Sequence, residues 1–134
     1  MIDTNIIKIA ADDKFNGLLD NSNLRALKKN PLCGDKIIIE IIKQKNIIKT
    51  MRYETESCIF CQATASLLSK KISLFRVNTI IKDVSLLKNI MRQKNKQLPK
   101  KFAIFKKLIN YKNISRYDCI MLPFNALIKA LKLR

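Results

Sequence analysis

Apolar residues recur along this chain with two different periods, and the changes between them divide it into elements. Residues 6–11 read as a short helix. Residues 12–30 are polar, include Asn16-Gly17, and end in what reads as loop. Residues 36–42 form a β-branched run broken only by Glu40, and residues 46–53 form another. The polar Lys43-Gln44-Lys45 lies between them, so the pair predicts a hairpin. Continuous isoleucine in the first run predicts a strand covered on at least one face by helices. After Cys58, the positions of Phe60, Ala63, Thr64 and Leu67 have helical spacing, and the helix is expected to start near Cys58 or Cys61. Asn78 or Thr79 would cap a second helix, with Ile80, Ile81, Val84, Leu87 and Met91 on one stripe. Past the basic connection 94–101, broken by Pro99, the residues Phe102, Phe105, Leu108 and Ile109 predict a third, shorter helix. Pro123 suits the first turn of a final helix that buries Phe124, Leu127, Ile128 and Leu131. Helix, hairpin, then helices predicts an α+β fold: a small antiparallel sheet of about three strands with helices packed on one face.

A length of 134 residues with 48% hydrophobic content supports one domain over residues 1–134. The net charge of +17 points to an acidic partner rather than nucleic acid. Lysines are scattered along the chain, no aromatic-interleaved basic tract occurs, and tryptophan is absent, so base stacking has little to act on. No basic region followed by a long apolar run opens the chain, and no stretch approaches a membrane span, so a cytoplasmic protein without a membrane partner is expected. In that reducing compartment four cysteines fit metal or sulfur chemistry better than disulfides. The absence of histidine excludes Cys–His nucleophile pairs, His-ligated zinc and imidazole acid–base catalysis.

Cys33 stands in Asn30-Pro31-Leu32-Cys33-Gly34-Asp35, directly before the first β-branched run, where one of only two glycines permits a tight turn that brings thiol and carboxylate together. A plain strand-entry turn is the alternative reading of that segment taken alone. Cys58 lies where the hairpin passes into a helix, whose N-terminal dipole would favour a thiolate, and Cys119 precedes the final helix in a similar way. Cysteines at element junctions look more like ligands than core filler.

On these motifs the chain resembles the IscU/SufU group, also found as the N-terminal domain of NifU proteins. Residues 30–35 match that family's most characteristic motif, Cys58 with Ala63-Thr64-Ala65-Ser66 resembles its second, and Arg116, Cys119, Leu122-Pro123 and Ala126-Leu127 resemble its last. The long separation of Cys58 from Cys119, Asp118 in place of a histidine, and the lack of a Leu-Pro-Pro-Val-Lys motif look like the SufU branch. The resemblance implies a SufE/NifU-like fold. It also implies a site of Cys33, Asp35, Cys58 and Cys119 that holds zinc or a transient [2Fe–2S] cluster, with Cys33 and Cys119 as candidate persulfide carriers. The implied partners are a cysteine desulfurase and downstream iron–sulfur acceptor or carrier proteins. A scaffold or sulfur acceptor is the leading expectation. A zinc-dependent sulfurtransferase and a non-catalytic relative that binds partners through its basic surface are the alternatives. Soft thiolates suit these metals, and a harder carboxylate ligand leaves more readily, as a site that releases cargo requires.

The chain departs from the family pattern in four places. Thr55 and Ser57 replace glycines before Cys58, which restricts the backbone there. Cys61 replaces a serine and creates Cys58-x-x-Cys61; a buried small residue is the leading reading, against a redox disulfide, spare ligand or sulfur relay. Asp118 is expected to disfavour the Cys119 thiolate. Lys94, Lys96, Lys100, Lys101, Lys106 and Lys107 lie in the inserted segment, as a solvated face or as a surface that steers docking onto an acidic desulfurase.

Overall fold

A computed structural model describes residues 3–132. Helix α1 (Thr4–Ala11) is followed by strands β1 (Leu24–Lys29), β2 (Lys36–Gln44) and β3 (Ile47–Glu56), then by α2 (Ile59–Lys70), α3 (Ile80–Arg92) and α4 (Tyr117–Ala130). The strands form an antiparallel meander in the order β1-β2-β3, in which Ala26 faces Ile39 and Ile39 faces Tyr53. The hairpin is therefore present as expected, and the sheet gains a third strand from the segment read as loop. In β1 only Ala26 is buried, and Arg25, Lys28 and Lys29 leave no apolar alternation to read. An edge strand tolerates such charge because it shields the unpaired backbone edge. Lys129 of α4 also covers part of β1 by donating to the Leu27 carbonyl at 2.8 Å.

Strand β2 has its two faces covered differently. Ile37, Ile39 and Ile41 point into the helical layer and are fully buried. Glu40 points the other way and is buried too, because the loop before β1 folds over it. The Leu19 and Asp20 N–H groups donate to its carboxylate at 2.7 and 3.0 Å, and Arg25 approaches to 3.7 Å. These partners meet the desolvation cost of the charge.

The C-terminal half closes around Phe75, whose ring centroid lies 5.5 Å from Phe102, 6.1 Å from Phe105 and 5.9 Å from Phe124. Phe102, Phe105, Leu108 and Ile109 are buried as their spacing predicts, but the expected third helix is only a 3₁₀ segment, Lys100–Phe105. Its bonds span three residues, as in Phe102 N–H to Pro99 O at 2.9 Å, and this tighter winding packs the aromatic rings in a short length. The second helix buries Ile80, Val84, Leu87 and Met91 from the expected stripe, while Ile81 stays exposed. The final helix starts at Tyr117, so Pro123 is inside it rather than in its first turn. Pro123 has no N–H for the carbonyl four residues back, which belongs to Cys119.

Candidate metal and sulfur site

The loop joining β1 to β2 is residues 30–35, which makes the motif a hairpin connection rather than a simple approach to a strand. Asn30 organises it: its N–H donates to the Asp35 carbonyl at 2.8 Å, its carbonyl accepts from Gly34 N–H at 2.9 Å, and its Oδ1 accepts from Leu32 N–H at 3.0 Å. Gly34 has φ +77, a left-handed conformation in which a side chain would be strained. Cys33 is thereby held at the exposed tip, and Asp35 is turned inward to 6% exposure.

Tertiary packing brings α2 and α4 to this loop. The Cys33 and Cys119 sulfurs are 4.0 Å apart, and one ligand atom from each of Cys33, Asp35 and Cys119 lies within 4.8 Å of the others. Cys119 is in the first turn of α4, not before it, and is buried. Cys58 is the N-cap residue of α2 and donates its N–H to Asp35 Oδ1 at 3.2 Å. Its sulfur falls outside the 4.8 Å group. The other Asp35 oxygen, Oδ2, is buried with no hydrogen-bond partner. A buried carboxylate oxygen without a partner is costly, and a cation in the cluster would satisfy it. The donor set fits such an ion: two thiolates at about 2.3 Å from a tetrahedral zinc would stand about 3.8 Å apart.

Burial pushes the Cys119 thiol well above its usual range, and Cys58 and Asp35 push it further. The direction agrees with the expectation from sequence, but the cause differs. Asp118 is exposed, and the acidic group acting on Cys119 is Asp35 across the site.

Three of the departures from the family pattern meet in one place. The Thr55 hydroxyl donates to the Lys36 carbonyl at 2.6 Å, Ser57 Oγ lies 2.7 Å from it, and the Cys61 sulfur lies 3.9 Å from it. Side chains at 55 and 57 thus fix the loop through hydroxyl contacts instead of leaving it free, and Cys61 completes the cluster. Cys61 is fully buried, and that burial pushes its thiol up to about 12. It is a buried small residue, as the leading reading has it. Iodoacetamide at mildly alkaline pH is expected to modify Cys33 first and to spare Cys61 until the chain is unfolded, as read by peptide mass mapping. Modification of both at the same rate would contradict the burial.

The profile of the NifU-like N terminal domain matches residues 2–132. The chain belongs to the NifU-like N-terminal domain family. Within it, the iron–sulfur cluster assembly scaffold protein IscU of Thermotoga maritima is 29% identical over 129 residues, covering 95% of this chain and 89% of that one. The fold agrees with two solved structures. One is the N-terminal part of a NifU-like protein from Brucella abortus, with TM-score 0.83 and 17% identity over 97% of this chain and 91% of that one. The other is a SUF-system scaffold protein, FiSufU, from Fervidobacterium islandicum AW-1, with TM-score 0.80 and 21% identity over 94% and 93%. The family is that of IscU/SufU-like iron–sulfur cluster assembly scaffolds. Among the described residues no helix is long and apolar enough to cross a membrane.

Proposed function

We propose that this protein accepts persulfide sulfur from a cysteine desulfurase and carries a transient [2Fe–2S] cluster as cargo on Cys33, Asp35, Cys58 and Cys119, for delivery to iron–sulfur acceptor or carrier proteins. The observation that carries the reading is the convergence of Cys33, Asp35 and Cys119 within 4.8 Å around a buried carboxylate oxygen that has no partner. Cys33 is the exposed thiol, so it is the group that meets the donor. Leu32 beside it is 84% exposed and offers an apolar contact to an incoming protein. In the transfer, the Cys33 thiolate attacks the outer sulfur of the donor's persulfide. A new S–S bond forms on Cys33, the donor's S–S bond breaks, and the donor cysteine leaves as a thiolate, which takes the proton that Cys33 gave up on ionising. Cys119, 4.0 Å away, stands close enough to share the delivered sulfur. Asp35 supplies the harder oxygen ligand, whose weaker hold on iron favours release.

A second reading, a zinc-dependent sulfurtransferase, is favoured by the sulfur separation, which is near that of tetrahedral zinc. Zinc would be held by the same residues and would supply a fixed geometry and a stabilised thiolate. Metal and acid-labile sulfide analysis of anaerobically purified wild type beside Cys33→Ser tests both readings. Wild type is expected to retain metal and to turn brown on anaerobic reconstitution with iron and sulfide, and the variant is expected to lose metal or sulfur acceptance. A colourless zinc protein that still passes sulfur would favour the second reading, and an unchanged variant would sink both.

A further inference from the structure

The basic residues of the inserted segment do not all line one cavity. Lys101 turns away to Asp83 at 3.5 Å, and Lys100 lies elsewhere. Lys94, Lys96, Lys106 and Lys107 instead converge, with Lys112, on a half-open cavity of about 740 Å³. That volume is in the range of small-molecule sites, about 300–1,000 Å³. Among the described residues the only carboxylate on its wall is Asp3, which lies 3.7 Å from Lys107. The cavity is therefore strongly electropositive, and a compact polyanion fits it better than a neutral ligand.

The rest of the lining separates one polyanion from another. Ile6 and Phe60 give the cavity an apolar floor, and Tyr111 lines it with Lys94 Nζ over one face of its ring, 5.6 Å from the centroid. An aromatic ring with a lysine on one face leaves its other face for a base, next to a phosphate held by that lysine. Asn110 donates its amide nitrogen to the Lys106 carbonyl at 2.8 Å, which braces the wall of the cavity between Lys106 and Tyr111.

We propose that this cavity binds a nucleoside di- or triphosphate, with the phosphates among Lys94, Lys96, Lys106 and Lys107 and the base against Tyr111. None of Cys33, Asp35, Cys58 and Cys119 lines it, so the site is separate from the proposed sulfur site. Phe60 links the two, because it belongs to α2, the helix that Cys58 caps.

Calorimetric titration of the full chain at physiological salt tests the proposal with ATP, ADP, inorganic tripolyphosphate and a poly-glutamate peptide as probes. ATP and ADP are expected to saturate one site per chain, and tripolyphosphate to bind about tenfold more weakly for want of the base. Lys106→Gln with Lys107→Gln is expected to weaken ATP about tenfold or more. Tyr111→Ser should erase the preference for ATP over tripolyphosphate. Lys28→Gln with Lys129→Gln removes the same charge at a distant surface and should leave binding unchanged, as should Cys33→Ser. Several results would overturn the site: no saturable ATP binding, equal weakening in the charge-matched control, loss of binding in Cys33→Ser, or tripolyphosphate or poly-glutamate binding as tightly as ATP.

Discussion

Asp35→Ala is expected to weaken zinc binding at the proposed site by more than the roughly 10–100-fold that loss of a merely orienting partner costs. Asp35 does two things at once. Its Oδ1 accepts the Cys58 N–H and ties the start of α2 to the motif loop, while Oδ2 is the buried oxygen without a partner at the cluster. Alanine removes both roles. Asparagine keeps an acceptor for Cys58 but removes the negative charge, so affinities measured against a chromophoric zinc chelator should fall in the order wild type, Asp35→Asn, Asp35→Ala. The metal-free protein should respond with the opposite sign. An unpaired buried carboxylate is a desolvation penalty, so Asp35→Asn is expected to raise the apo unfolding midpoint while it lowers zinc affinity. Equal zinc affinity in all three proteins would remove Asp35 from the site.

Phe75→Ala is expected to destabilise the fold by about 3–5 kcal/mol, a large part of the roughly 5–15 kcal/mol that holds a domain together. The ring is fully buried and contacts Phe102, Phe105 and Phe124, which come from the connection after α3 and from α4. Removing it leaves a cavity bordered by three rings, of which Phe105 and Phe124 already pack on each other at 5.7 Å and so cannot simply move inward. With a urea dependence of about 1–3 kcal/mol per molar, the unfolding midpoint should drop by at least about 1 M. Phe75→Leu fills most of the space and should cost much less. Because α4 carries Cys119, the alanine variant is also expected to lose metal at lower urea than wild type. Equal midpoints for Phe75→Ala and Phe75→Leu would show that the aromatic cluster does not hold the C-terminal half in place.

The elements with strong periodicity were legible from sequence alone. Ile37, Ile39 and Ile41 signalled a strand buried on its helical side, and residues 80–91 showed a helical stripe that the fold follows except at Ile81. Where a charged or short segment gains its structure from neighbours, the local pattern was silent. Strand β1 has a single buried residue and exists because β2 pairs with it, and the 3₁₀ segment at 100–105 is shaped by the packing of its phenylalanines. The start of α4 was misplaced because Pro123 suggests a first turn, whereas this helix accommodates the missing bond in its interior.

For the site, the sequence determined the chemistry: thiols and a carboxylate without histidine, a glycine where the backbone is left-handed, and motifs in the family's order. Those are properties of residue type and short-range geometry, which the chain carries locally. Only the tertiary structure decided that Cys33 and Cys119, 86 residues apart, stand 4.0 Å from each other and that Asp35 rather than Asp118 acts on Cys119. The same holds for the grouping of Thr55, Ser57 and Cys61 and for the division of the inserted lysines between a cavity and an ion pair. Burial and through-space distance set these outcomes, and neither is written in the spacing of residues along one segment.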